Sequence, residues 1–142
     1  MSRILHVLLH LQDIEEPITS ELIGQMLGMN ASLVRRTMGG LRKAGFVGSS
    51  KGHGGGWYLE KNLSEISLAD VYEALGAPKL FAIGTSTDTP NCLLEKAANA
   101  ATTQALDAAR DQFFLSLQSV SVSDLTNGSR EKFLDFRAQN PA

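Results

Sequence analysis

The sequence is poor in the groups that most enzyme and secretion chemistry needs. It holds one cysteine, Cys92, in 142 residues, so no intrachain disulfide can form. With only three histidines beside that cysteine, no CxxC-type metal site is available, and no metal or other cofactor is expected. A reducing, cytoplasmic setting fits this cysteine usage. Long apolar runs are missing too. The longest, Ile4 to Leu11, is interrupted by His6 and His10 and falls far short of the ~20 residues of a membrane span. It also lacks the small-residue cleavage pattern of a signal peptide, so no membrane association is expected. There is no internal repeat and no low-complexity tract.

What is present is an ordinary globular composition, 43% hydrophobic and 20% charged, in a chain long enough for one core. The net charge of −2 conceals an uneven distribution. Residues 1–61 carry seven Lys/Arg against five Asp/Glu, and residues 62–142 carry six against ten. Residues 30–51 hold Arg35, Arg36, Arg42, Lys43 and Lys51 with no acidic residue, a local balance of +5.

Ile4, Leu5, Val7, Leu8, Leu9 and Leu11 are apolar nearly all round at helical spacing, which predicts a buried first helix. Asp13-Ile-Glu-Glu-Pro17 ends it. Thr19 or Ser20 can N-cap a short second helix with the stripe Leu22, Ile23, Met26 and Leu27, and Gly28 can close it in the left-handed conformation. Asn30 or Ser32 starts a third helix. Its inward positions are Val34, Met38 and Leu41, and its outward ones are Ser32, Arg35, Arg36, Gly39 and Lys43.

Phe46 to Ser50 and Trp57-Tyr58-Leu59 read as two strands joined by Lys51-Gly-His-Gly-Gly-Gly56, a hairpin with a glycine-rich tip. Ser67 with Asp70 three residues on reads as a helix start of the capping-box kind. Leu68, Val71, Tyr72 and Leu75 form that helix's apolar face, and Gly76 with Pro78 stops it. Residues 77–91 hold two prolines and the run Thr85-Ser-Thr-Asp-Thr89, a linker. From Cys92 to Val120 there is neither Pro nor Gly, and alanine abounds, which predicts a helix roughly 40 Å long. Its stripe reads Leu94, Ala98, Ala101, Ala105, Ala109, Phe113, Leu117 and Val120. A further short amphipathic turn is expected around Phe133, Leu134 and Phe136.

Helix, helix, glycine turn, helix and glycine-tipped hairpin is the order of a winged helix-turn-helix. In that arrangement the third helix enters the major groove and the hairpin reaches a flanking groove or the backbone. Ser32 and Arg35 are therefore expected at base edges, and Arg36, Ser20 and Lys51 at phosphates, with Asn30 and Lys43 on the same surface. The tip Gly52, His53, Gly54, Gly55 and Gly56 would enter the adjacent minor groove. A phosphate loop is excluded because Lys51 precedes the glycines and a strand follows them. The string His53-Gly-Gly-Gly56 imitates an esterase oxyanion loop, but no GxSxG elbow accompanies it. The chain therefore reads as a non-enzyme.

The run Leu41-Arg-Lys-Ala-Gly-Phe-Val47, then Lys51-Gly-His-Gly-Gly-Gly-Trp-Tyr-Leu59, then Ile66-Ser-Leu-Ala-Asp-Val-Tyr-Glu-Ala-Leu-Gly76 resembles the bacterial Rrf2 family of transcription regulators. The resemblance covers residues 3 to 76, and the long helix by position and pattern. Family members usually begin a few residues ahead of the Ser2-Arg3 equivalent. The resemblance implies a homodimer held by crossed long helices on palindromic double-stranded DNA, and repression more often than activation. Several members hold an iron–sulfur cluster through three cysteines ahead of the long helix. Here that region has Cys92 alone, so the chain resembles a cluster-free branch whose signal is left open between thiol oxidation at Cys92, a small molecule and a protein partner.

The expected fold is mainly α with a two-stranded wing. A DNA-binding domain spans residues 1–76, a linker or sensor loop 77–91, a dimerisation helix 92–122 and a tail 123–142. The dimer contact is expected from Leu94, Ala98, Ala101, Ala105, Ala109, Phe113 and Leu117. Cys92, at a helix start, is either a redox sensor or a silent thiol, and His6 with His10, four apart, reads as packing. A winged-helix adaptor that binds protein instead of DNA is the alternative, and the acid-free +5 segment argues against it.

Overall fold

The computed structural model describes residues 1–83 and 92–127. The expected turn at Phe133, Leu134 and Phe136 and the Thr85–Thr89 run lie outside the described residues. Three helices come first: α1 (Ser2–Gln12), α2 (Ser20–Leu27) and α3 (Ala31–Lys43). The hairpin β1 (Val47–Ser49) and β2 (Trp57–Leu59) follows, in antiparallel register with Gly48 opposite Tyr58. A single 3-10 turn leads to α4 (Leu68–Ala74), then come α5 (Leu93–Gln118) and the short α6 (Asp124–Asn127). This is the mainly helical architecture with a two-stranded wing that the sequence predicts.

Local chemistry sets the helix ends. Thr19 caps α2 by accepting from the Leu22 amide at 3.2 Å, and Gly28 ends it at φ 62°, where a side chain would strain the backbone. Asn30 caps α3 through the Leu33 amide at 2.8 Å. Ser67 and Asp70 form a reciprocal capping box at the start of α4. With the helix ends fixed, the inward stripes meet in one core.

Leu8, Ile23, Val34, Met38, Leu41, Val47, Ile66 and Val71 are almost wholly buried there. In α1 the burial is one-sided. Ile4, Val7, Leu8 and Leu11 are buried, while Leu5 and Leu9 are half-buried and His6 is exposed. The expected all-round burial of α1 is thus corrected: only the side with Ile4, Val7, Leu8 and Leu11 is buried in the core.

The wing is pinned to the rest of the head by a contact far apart in sequence. Ile18 and Trp57 exchange both backbone hydrogen bonds, at 2.9 and 2.8 Å, as a third, one-residue strand. Gly56 makes this approach feasible, because a Cβ there would lie 2.5 Å from the Ile18 backbone. After α5 the chain returns to the head. Val122 is fully buried in the core, and its amide donates to the Ile66 carbonyl at 2.8 Å.

Candidate nucleic-acid interface

The surface of interest is built from α3 and the wing. Val34, Met38 and Leu41 are 1%, 1% and 0% exposed, and their burial fixes the rotation of α3. Ser32, Leu33, Arg35 and Arg36 consequently face solvent near its N-terminal end. Lys43 is exposed at the other end. Arg36 makes no ion pair with any described residue. Lys51 and His53 are exposed at the tip of the wing, where Gly52 and Gly54 take φ of 96° and 77°. Exposed cations are thus found at two places, along α3 and at the tip of the glycine hairpin.

Several expected site residues have a different task. Ser20 is buried, and its Oγ accepts the Trp57 indole N–H at 2.9 Å. Its hydroxyl is spent inside the protein, which corrects the expectation that it holds phosphate. Asn30 likewise uses its side-chain oxygen as the α3 cap. The Gly55 amide donates to the Gly52 carbonyl and the Gly56 amide to Ser50 Oγ. Those two glycines shape the wing, and the outward groups of the tip are Lys51, Gly52, His53 and Gly54. Arg42, a cation of the +5 segment, bonds Ser49 Oγ at 3.0 Å and lies 6.0 Å from the Trp57 ring centre, bracing α3 against the wing.

Sequence reasoning missed two features of this surface. Arg35 is ion-paired to Glu21 at the start of α2, with the two side chains 57% and 60% exposed. Nothing in the sequence signals this pair, because the fold brings together residues 14 apart. Leu33, 42% exposed on the same end of α3, offers an apolar surface of the kind that meets a thymine methyl. Its place beside Ser32 on the third helix is the signal that could have found it.

The long helix presents a second surface. No residue of α5 is buried, and Leu94 and Leu115 are 81% and 59% exposed. The expected stripe does not stay on one face. Each four-residue step runs about 40° past a full turn, so from Ala101 to Leu117 it winds through about 160°. Phe113 therefore turns to the head, where its ring meets Tyr72 edge-on at 5.6 Å, and Leu117 is half-buried on the same side. The exposed apolar line is instead Leu94, Ala98, Ala101, Ala105, Ala108 and Leu115. Ala109 is exposed beside it.

Cys92 caps α5 and is exposed. The backbone N–H groups of Glu95 and Leu94, at the first turn of the helix, favour the thiolate and hold the thiol below its ordinary pKa. His6 and His10 approach each other at 2.7 Å between their Nε2 atoms. Among the described residues no three His, Cys, Asp or Glu side chains converge as a metal site. One cysteine per chain does not fit the cysteine ligation of an iron–sulfur cluster.

Three helices around an apolar core followed by a two-stranded wing define a winged-helix fold. The model of the Rrf2 family, described as iron-dependent transcriptional regulators, matches residues 1–128. The chain belongs to that family. It is 35% identical over 92 residues to the HTH-type transcriptional regulator IscR of Photorhabdus laumondii, a match covering 65% of this chain and 50% of that one. The chain spans about half the length of the curated relatives it matches. Among solved structures it resembles T. potens IscR, with a TM-score of 0.63 at 18% identity over 92% of this chain and 82% of that one. It also resembles CymR, described as the global cysteine regulator of B. subtilis, with a TM-score of 0.57 at 20% identity over 89% and 91%. These two likenesses are of fold. Among the described residues no helix is long and apolar enough to cross a membrane.

Proposed function

We propose that this protein is a cytoplasmic, sequence-specific DNA-binding repressor that acts as a homodimer on a two-fold symmetric operator without an iron–sulfur cluster. The observation that carries this reading is the rotation of α3. Its apolar side is locked in the core, so Ser32, Arg35 and Arg36 project from the end that enters a major groove. Ser32 and Arg35 read base edges, Arg36 and Lys51 grip phosphates, Lys43 adds positive charge, and His53 with Gly52 and Gly54 probes the neighbouring minor groove. Arg35 exchanges Glu21 for DNA on binding.

The uncovered apolar line of α5 supports the dimer. A helix with a bare leucine and alanine stripe gains by pairing with its own copy, which would hold two heads at a fixed spacing. The lone cysteine supports the cluster-free reading. Control through thiol oxidation at Cys92, a small ligand or a protein partner is consistent with its position between linker and long helix.

Selection from a random duplex pool, followed by titration across salt, tests the proposal. One enriched palindromic sequence should emerge, and binding should weaken steeply between low and physiological salt. Arg35→Ala should cost about 1–3 kcal/mol on the selected site and blur preference at one base position. Salt-insensitive or undetectable DNA binding would overturn the reading in favour of a protein-binding module.

A further inference from the structure

A cleft of about 850 Å3 lies where the head meets the long helix, between the end of α4, residues 77–83 and the middle of α5. Small-molecule sites commonly occupy roughly 300–1,000 Å3 and favour such junctions. Its inner wall is the Tyr72–Phe113 edge-on pair, and Phe81 and Phe114 extend the aromatic lining. The rim is fixed by specific bonds. The Tyr72 hydroxyl donates to the Pro78 carbonyl, the Ala77 amide bonds the Tyr72 carbonyl at 3.1 Å, and Ala77 is held at φ 45°. Phe81 and Ile83 are nonetheless 42% and 72% exposed, an apolar edge without a cover among the described residues.

Charge decides what would suit the space. Three carboxylates line it, Glu73, Asp107 and Asp111, against two cations, Lys79 and Arg110. Arg110 is already spanned between Asp107 at 3.0 Å and Asp111 at 3.9 Å. The cleft therefore has an excess of negative charge beside aromatic faces, which attract cations through their quadrupoles. We propose that this cleft binds an amphipathic organic cation: an aromatic or branched apolar body carrying a positive centre. Its walls belong to the head through α4 and to the long helix through α5, so occupancy would bias the angle between them. That regulatory consequence, unlike the binding, rests on the DNA-reading proposal above.

Two ions of nearly the same shape and opposite charge separate the outcomes. In equilibrium dialysis with the full chain and no DNA, tetraphenylphosphonium should bind saturably, and tetraphenylborate at least about tenfold more weakly. Glu73→Gln combined with Asp111→Asn should weaken the phosphonium by a similar factor while the thermal midpoint shows the fold intact. Phe81→Ala, at the exposed edge, should weaken it as well. Equal binding of the borate, or no saturable binding of either ion, overturns the proposal. DNA binding measured separately shows whether the reading head works, so failure of the cleft and failure of the head are told apart.

Discussion

The winged head and the long helix are stabilised in opposite ways. In the head, α1 to α4 each bury a defined stripe, and the wing is tied in by the Ile18–Trp57 bridge and the Ser20–Trp57 hydrogen bond. In α5, 26 residues form a helix without burying one of them. Alanine's high helix propensity favours the rod, but propensity gives no reason for it to sit in one place. Among the described residues its C-terminal part is anchored through Phe113 on Tyr72 and the return of Val122 to the core. The head thus holds α3 rigid within a single chain, while α5 keeps an exposed apolar line.

The largest effect that would sharpen this contrast is in the head. Leu41→Ala removes a side chain with no exposure from between α3 and its neighbours. It should cost about 2–5 kcal/mol in chemical denaturation, and a loss under ~1 kcal/mol would break the picture of a tightly packed head. On α5 the expectation reverses. Ala101→Glu with Ala105→Glu should leave head stability almost unchanged but shift sedimentation from dimer to monomer, weakening operator binding with it. A double variant with unchanged mass would show that this face is not the contact.

Smaller effects probe the charged surface and the start of the long helix. Glu21→Gln frees Arg35 and removes a negative charge beside the DNA. Because the Glu21–Arg35 pair is exposed, the gain in low-salt DNA affinity should be about 0.2–1 kcal/mol and should fade as salt rises. The subtlest test concerns Cys92. The backbone N–H groups of Glu95 and Leu94 lower its pKa in the folded protein, so its thiolate appears at lower pH there than in the unfolded chain. Iodoacetamide alkylation should accordingly reach half its maximal rate at lower pH in native protein than in urea, where the thiol returns to about 8.5. Equal midpoints would show that the α5 cap does not act on the thiol.

Features set by neighbouring residues were legible in the sequence. The Asn30 cap, the Ser67–Asp70 box, the Gly28 turn and the glycine wing each depend on a few consecutive side chains and backbone angles. The outward projection of Arg35 and Arg36 was legible as well, because Val34, Met38 and Leu41 fix the opposite side of α3. The role of Ser20 was not, since its hydroxyl is claimed by an indole 37 residues away. The side of α5 that Phe113 and Leu117 take was not legible either. Four-residue spacing approximates one face over two turns but drifts over seven, and only the docking of Phe113 shows where the head lies.

By itself, then, the sequence determined the order of helices and hairpin in the head and the inward side of α3, because short-range hydrogen bonds and periodicity act within a few residues. Tertiary structure alone decided that Glu21 engages Arg35, that Ser20 and Arg42 serve the wing, and that Val122 closes the core. Those outcomes depend on distances between segments far apart in the chain, which are set only when the apolar stripes pack together.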